Sequence, residues 1–544
     1  MFAKMRTNFI AVFLFSCVSL HCNLNKKTNS NVFFYNEDAG ISSLDPAFSK
    51  DQSTIWASLQ LFNGLVQLDS FLHVFPCIAK SWEITEGGKS YIFHLRADVF
   101  FHENETVFGK QKTRLATAHD FVYSFKRLVS PTTASPGAWI FNGKISYPDS
   151  AFNAPNDSTF VLRLINPFPP MLGLLSMPYC AVVPHEAIEK YSKDIGSHPI
   201  GTGPFRLRAW HEGIKLLLER NPSYFEKDEQ GKSLPYLDGV EVGFIESKQA
   251  AFFEFVKGHL DFMNGLESSF KDEILTHKGR LRQQYQGKFK LVTGPYLNTE
   301  YLAFMLDSAH LSDPNNPLRH LKMRQAIAYA IDRKKMLQYL RNNIGSGAVR
   351  GFVPAGLPGM ATEIYAYNPV KARKLLQEVG YDQKTMPPIV INTTKSYVDL
   401  TVYIQNQLSA VGIKSSIEVS PGPTHREMVS KGGLSFFRGS WIADYPDAEN
   451  YLSLFYGKNA APNGPNTTRY SKATFDQLYT RAMQQPNAET RSQLYTQLDS
   501  LMMQDCPVVV LFYDRSIRLV QNTIAGLETN PMNNLVLKRV RKVR

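Results

Sequence analysis

Between Asn368 and Val419 the chain alternates helix and strand signals, and no other feature constrains its fold as much. Asn368 can cap a helix, Pro369 suits its first position, and Gly380 can end it in a left-handed turn. Leu375, Leu376 and Val379 supply the apolar stripe. The β-branched runs Ile389-Val390-Ile391 and Ile413 to Val419 follow, so the stretch reads helix, strand, helix, strand, a βαβ-type arrangement. The same alternation recurs from end to end. Thr117 and Asp120 form a capping box ahead of Phe121, Val122, Phe125, Leu128 and Val129, and Ser130-Pro131 stops that helix. Another helix spans about 318–330, and Asp332 caps a further turn through Leu340. With 544 residues the chain exceeds one compact core, so two or more domains are expected. No internal repeat, heptad run or low-complexity tract interrupts it.

The N-terminus predicts export. Lys4 and Arg6 precede an apolar run from Phe9 to Leu20, too short to span a bilayer and suited to a secretory signal. Leu14-Phe15-Ser16-Cys17 and Ser19-Leu20-His21-Cys22 both offer a lipid-modifiable cysteine. Cys22 has the better position, and the polar stretch Asn23 to Ser30 behind it reads as a tether. Residues 1–22 are therefore read as a lipoprotein signal, placing the protein in the periplasm on a membrane anchor; one acyl chain holds only marginally. Cys77, Cys180 and Cys506 are too widely spaced for a disulfide framework or a zinc set and read as buried thiols, with one bridge left open. The net charge is +12, but only Lys538 to Arg544 is densely basic. That block reads as a solvated tail, and no nucleic-acid partner is expected.

Signs of catalysis are missing. The chain has no HExxH, GxSxG, GxxxxGK[ST] or CxxC. In Gly201-Thr202-Gly203-Pro204-Phe205, Pro204 removes an N–H that a phosphate cradle would use, so a hinge or turn is expected. His185 and His198 are not at metal-ligand spacing. Neither enzyme activity, nor a metal, nor a cofactor is expected.

Several blocks in order carry a family resemblance: Leu44-Asp45-Pro46 with Leu61 to Leu65; Ala79 to Glu83, Tyr91 to Arg96 and Val99 to His102 with Thr117 to Phe125; Pro199 to Phe205 with Arg220-Asn221-Pro222; Arg324-Gln325-Ala326 with Ala330 to Arg333; Tyr367-Asn368-Pro369 with Glu378 to Tyr381; and Trp441 to Asp447 with Tyr470 and Phe475-Asp476. Together they resemble the large extracellular solute-binding proteins of bacterial peptide and nickel ABC importers. Glu103 to Leu115 is longer and more basic than the family pattern and reads as a surface insertion. The resemblance implies an α/β, two-lobed periplasmic-binding-protein fold (type II, large three-domain subclass) that closes on its ligand by a hinge. Its expected units are 23–62, 197–296 and 512–544 for a discontinuous first lobe, 63–196 for an extra domain and 297–511 for the second lobe. It also implies a monomer that captures short peptides for an inner-membrane permease with its ATPases. Glutathione, a cell-wall peptide, or a nickel or haem chelate is the alternative ligand.

A binder of many peptides must hold what peptides share: backbone, α-ammonium and α-carboxylate. Strand addition holds a backbone without reading side chains. An ammonium removed from water needs a carboxylate, and losing one partner of a buried pair costs ~3–5 kcal/mol. The resemblance places that carboxylate on Asp444, with Asp447 close by and equally acidic. It places the flanking strands at Ser440, Trp441 and Ile442 and at Lys50, Asp51 and Gln52. It gives Arg438 the geometry to meet a ligand carboxylate, and makes Trp441 and Tyr445 pocket walls.

Overall fold

A computed structural model of the chain describes residues 31–543 except 267–270, 312, 349, 363 and 382–385. The expected signal and its lipid-modifiable Cys17 and Cys22 lie outside the described residues. The alternating segment folds as read. The Asn368 side chain accepts the Lys371 N–H at 2.9 Å to open the helix Pro369–Val379, and Gly380 ends it at φ +87°. Strands Ile389–Thr394 and Ser415–Ser420 pair in parallel, with helix Val398–Ser409 between them. Asp332 caps Arg333–Leu340 through the Lys335 N–H at 3.0 Å. The Asp120 carboxylate accepts the Thr117 N–H at 2.8 Å ahead of Ala118–Val129.

Two long strands organise everything else. Phe289–Phe304 and Val508–Gln521 run antiparallel at the middle of an 11-stranded sheet. On one side of the pair lie Phe436–Ile442, Ile389–Thr394 and Ser415–Ser420. On the other lie Phe262–Asn264, Val32–Asn36, Gly239–Gly243, Lys215–Arg220 and Phe205–His211. Each half of the pair belongs to a different core. Phe289 and Leu519 pack with Phe252 and Phe255, and Val520 packs with Phe33, Trp56 and Phe262. Leu302, Phe304, Val509 and Leu511 pack with Ile327, Ile391 and Phe436. Between the two cores the ladder slips: Pro295 faces Arg515, but the next paired residue, Thr299, faces Tyr513. Proline has no N–H to give the ladder, and such irregularities bend and twist the strand that carries them.

A third core is built on a separate antiparallel sheet, in the order Ala79–Thr85, Ser90–Leu95, Thr159–Arg163, Phe152–Asn156. The helix Ala118–Val129 lays Phe121 and Phe125 over it. Phe125 has its ring centroid 5.3 Å from that of Phe160 and 5.2 Å from that of Phe141, so an aromatic cluster fills the interior. The segment Glu103 to Leu115 contains a short helix, Glu105–Phe108. Its Arg114 is held by Asp120 at 2.7 Å and by Glu186 at 2.6 Å. Cys77, Cys180 and Cys506 are buried free thiols.

The C-terminal block differs from the expected solvated tail. Leu535, Leu537 and Val540 are fully buried in the first core. Lys538 pairs with Glu226 at 2.7 Å, Lys542 pairs with Asp261 at 2.8 Å, and Arg541–Lys542 pairs with Ile524–Ala525 as a two-stranded ribbon. Buried Leu535 and Leu537 ahead of the block and Val540 within it bind the segment down.

Gly201 to Phe205 is a close approach. A Cβ on Gly203 would stand 2.3 Å from the Leu61 carbonyl carbon and 2.5 Å from the Gln60 carbonyl oxygen, at the end of helix Gln52–Leu61. His102 accepts the Gly201 N–H at 3.2 Å and bonds the Gly203 carbonyl at 3.0 Å, and burial pushes its imidazole down to about 4. Gly203→Ala must shift backbone, so denaturant unfolding should show a loss of about 1–3 kcal/mol. Gly433→Ala, where the added Cβ meets no heavy atom nearer than 3.6 Å, should change stability by less than about 0.5 kcal/mol.

Candidate functional site

The strand Phe436–Ile442 presents one open edge. The Ala443 N–H bonds the Leu297 carbonyl and the Met305 N–H bonds the Ser435 carbonyl, both at 2.9 Å, which sets the phase of its ladder with Phe289–Phe304. Antiparallel pairs alternate, so Phe437, Gly439 and Trp441 bond that neighbour while Arg438, Ser440 and Ile442 turn their N–H and C=O groups the other way. On that other side Ile389–Thr394 reaches only as far as Phe437. The Asn392 amide takes the Phe436 carbonyl at 3.1 Å, and His425 Nε2 takes that of Arg438 at 3.0 Å. Among the described residues no hydrogen bond takes the backbone groups of Ser440 and Ile442, and Ile442 is 47% exposed beside them.

Asp444 follows this edge directly. It is open to solvent yet stands among enough protein to lose hydration, and that desolvation pushes its carboxyl up to about 6, opposed by a hydrogen bond from Asn450. Asn450 also fixes the local chain: its Oδ1 accepts the Trp441 indole N–H at 2.8 Å and the Asp444 N–H at 3.3 Å. Asp447 is spent inside, where it caps the Glu449 N–H at 2.9 Å. Of the two neighbouring acids, Asp444 alone is presented. Tyr445 is only 4% exposed. Its ring lies 6.1 Å from that of Trp139 in the third core and its hydroxyl bonds Glu449, so it packs between units instead of lining open space.

Arg438 is already engaged. Its guanidinium pairs with the buried Glu300 (Nε to Oε2 3.1 Å) and lies 3.4 Å from the Tyr397 ring centroid. Burial raises the Glu300 carboxyl although Arg438 opposes it. Asp514 adds a second acid to this group and pairs with Arg341 at 3.0 Å. The cluster sits at the slipped register of the two long strands.

Across from it, Lys50, Asp51 and Gln52 do not form the expected strand. Asp51 is the N-cap of helix Gln52–Leu61. Its Oδ1 accepts from the Thr54 N–H at 3.0 Å, the Thr54 hydroxyl at 2.8 Å and the Ser53 hydroxyl at 2.9 Å. An aspartate with a threonine three residues on caps a helix more readily than it extends a strand. Gln52 accepts from Asn264 at 3.1 Å, and Lys50 is exposed. Tyr179, from the third core, ties the two sides together: burial, then the charges of both Asp444 and Asp51, raise its phenol above the usual range. Asp444 and Asp51 thus both stand within electrostatic reach of Tyr179.

Residues 73–463 match the family described as bacterial extracellular solute-binding proteins, family 5 middle region. The chain belongs to this family. Its members bind solutes for ABC importers, and this chain is such a solute-binding protein. It is 26% identical over 529 residues to the probable deoxycholate-binding periplasmic protein YgiS of Escherichia coli, covering 92% of this chain and 91% of that one. It is 25% identical over 531 residues to the periplasmic oligopeptide-binding protein OppA of Salmonella typhimurium, covering 93% and 91%. The structure of the periplasmic binding protein DppA of Helicobacter pylori in complex with peptide STSA superposes with a TM-score of 0.75 at 24% identity, covering 95% and 98%. The fold is therefore the two-lobed α/β periplasmic-binding-protein architecture.

Sequence reasoning singled out Asp444 and the strand edge but missed Glu300, Asn450 and Tyr179. Asn450 lies in the same segment, six residues beyond Asp444, where its short amide could have been read as a local brace. Nothing local marks Glu300 or Tyr179. If Arg438 serves Glu300, Arg438→Met should destabilise the ligand-free protein by about 3 kcal/mol in denaturant unfolding, because it strands a buried acid. The double variant Arg438→Met/Glu300→Leu should recover most of that loss.

Proposed function

We propose that this protein captures short oligopeptides in the cleft between its lobes and delivers them to an inner-membrane ABC permease. The observation that carries the reading is the open backbone edge at Ser440 and Ile442 ending on the presented carboxylate of Asp444. An extended peptide completes that edge by strand addition, and its α-ammonium meets Asp444. An ammonium beside Asp444 favours its charged form and offsets the desolvation that raises it. The slip at Pro295 to Thr299 is the hinge of this reading. The moving bodies are residues 23–62, 197–296 and 512–544 against 297–511, with 63–196 as the extra domain. Lipidation at Cys22 would hold the protein near its permease.

Native mass spectrometry of the mature protein with a mixture of tri- to pentapeptides and deoxycholate tests the ligand class. Retention of peptides supports the reading, and retention of deoxycholate with no peptide overturns it. Asp444→Ala should weaken peptide binding by about 100-fold or more, as expected for loss of a buried charge partner. The melting temperature of its ligand-free form should stay close to that of the wild type.

A further inference from the structure

The first-lobe wall holds a cavity of about 360 Å³ beside the N-terminus of helix Gln52–Leu61, lined among others by Glu37, Asp38, Asp51, Gln52, Trp56 and Lys248. It lies at the carboxyl ends of the parallel strands Val32–Asn36 and Gly239–Gly243, where open α/β sheets take their ligands. Two of its three acids are committed: Asp38 to Lys248 at 3.5 Å, and Asp51 to its helix cap. Glu37 is not. It is only 8% exposed, and among the described residues no side chain hydrogen-bonds it and no cation lies within ion-pair distance. Only the Ala39 backbone N–H serves it.

A carboxylate buried without a counter-ion is costly, and a cation entering the cavity removes that cost. The charged groups that act on Glu37 are Asp38, Asp51 and Lys248, and Glu37 in turn acts on the Tyr35 phenol. Acids outnumber the single ammonium, so the cavity repels anions. We propose that the Glu37 cavity receives a cationic side chain of the bound peptide, lysine or arginine, and makes this protein select basic peptides. This rests on the peptide reading of the cleft. Burial, with the charge of Asp38, pushes Glu37 up to about 7. Its contribution to a cation is therefore present above that pH and fades below it.

The test compares tripeptides carrying lysine at each of the three positions with norleucine counterparts, by calorimetric titration from pH 5.5 to 8. At one position lysine should bind at least about tenfold tighter than norleucine at pH 8, as a charge-assisted pair of 1.5–3 kcal/mol implies. The ratio should fall toward one at pH 5.5. Asp444 contributes equally to both peptides and cancels in the ratio. Glu37→Gln should abolish the preference and its pH dependence while norleucine peptides bind as before, and Asp38→Asn should retain the preference. The wild-type ratio decides the matter even if Glu37→Gln fails to fold. Peptide binding without a lysine preference, or a preference that survives Glu37→Gln, overturns this inference and leaves the peptide reading standing. Binding of no peptide overturns both.

Discussion

The structure depends on one strand pair. Phe289–Phe304 and Val508–Gln521 belong to two hydrophobic cores at once, so neither core can be assembled without the other contributing its half of the ladder. The pair is strong within each core and slips between them, opposite Asp514. In the proposed reading, this slip is where the two lobes bend against each other. The buried pair of Glu300 and Arg438 stands at that place. Ions so far from water persist only when each is met closely, which makes the junction specific in geometry and sensitive to the loss of either charge.

From that junction the site follows. The strand Phe436–Ile442 is bonded on one side to the long pair and released on the other, because its second neighbour stops at Phe437. An unpaired edge is a hazard that proteins ordinarily cover. Here it is proposed as the peptide-binding edge, and it ends on Asp444, whose position Asn450 braces. Backbone groups and one carboxylate are what the proposed site offers to features that all peptides share. Glu37, in the cavity of the facing wall, adds the charge by which the proposed site would prefer one peptide over another.

What the sequence made legible was local. Asn368, Asp332 and Asp120 marked helix starts, and the β-branched runs at Ile389 and Ile413 marked a parallel pair, because caps and periodicity act within a few residues. The motif marked Asp444 as a candidate but could not separate it from Asp447: only the fold turns one acid outward and spends the other on a backbone N–H. The hidden residues act over distance. Glu300 and Arg438 are 138 residues apart and meet across adjacent strands. Tyr179, in a different core, lies within electrostatic reach of Asp444 and Asp51. Asp51 carried a readable cap that the family pattern outweighed. The basic C-terminal block misled because its charges were counted without buried Val540 among them and buried Leu535 and Leu537 just ahead.

The proposed capture of peptides turns on a ligand ammonium gripped by Asp444. The most direct measurement is calorimetric titration of the wild-type protein with one short peptide in free and N-acetylated forms, at a pH above 7 where Asp444 is ionised. The account predicts that acetylation weakens binding by about 100-fold or more. Equal affinity for the two forms would contradict it.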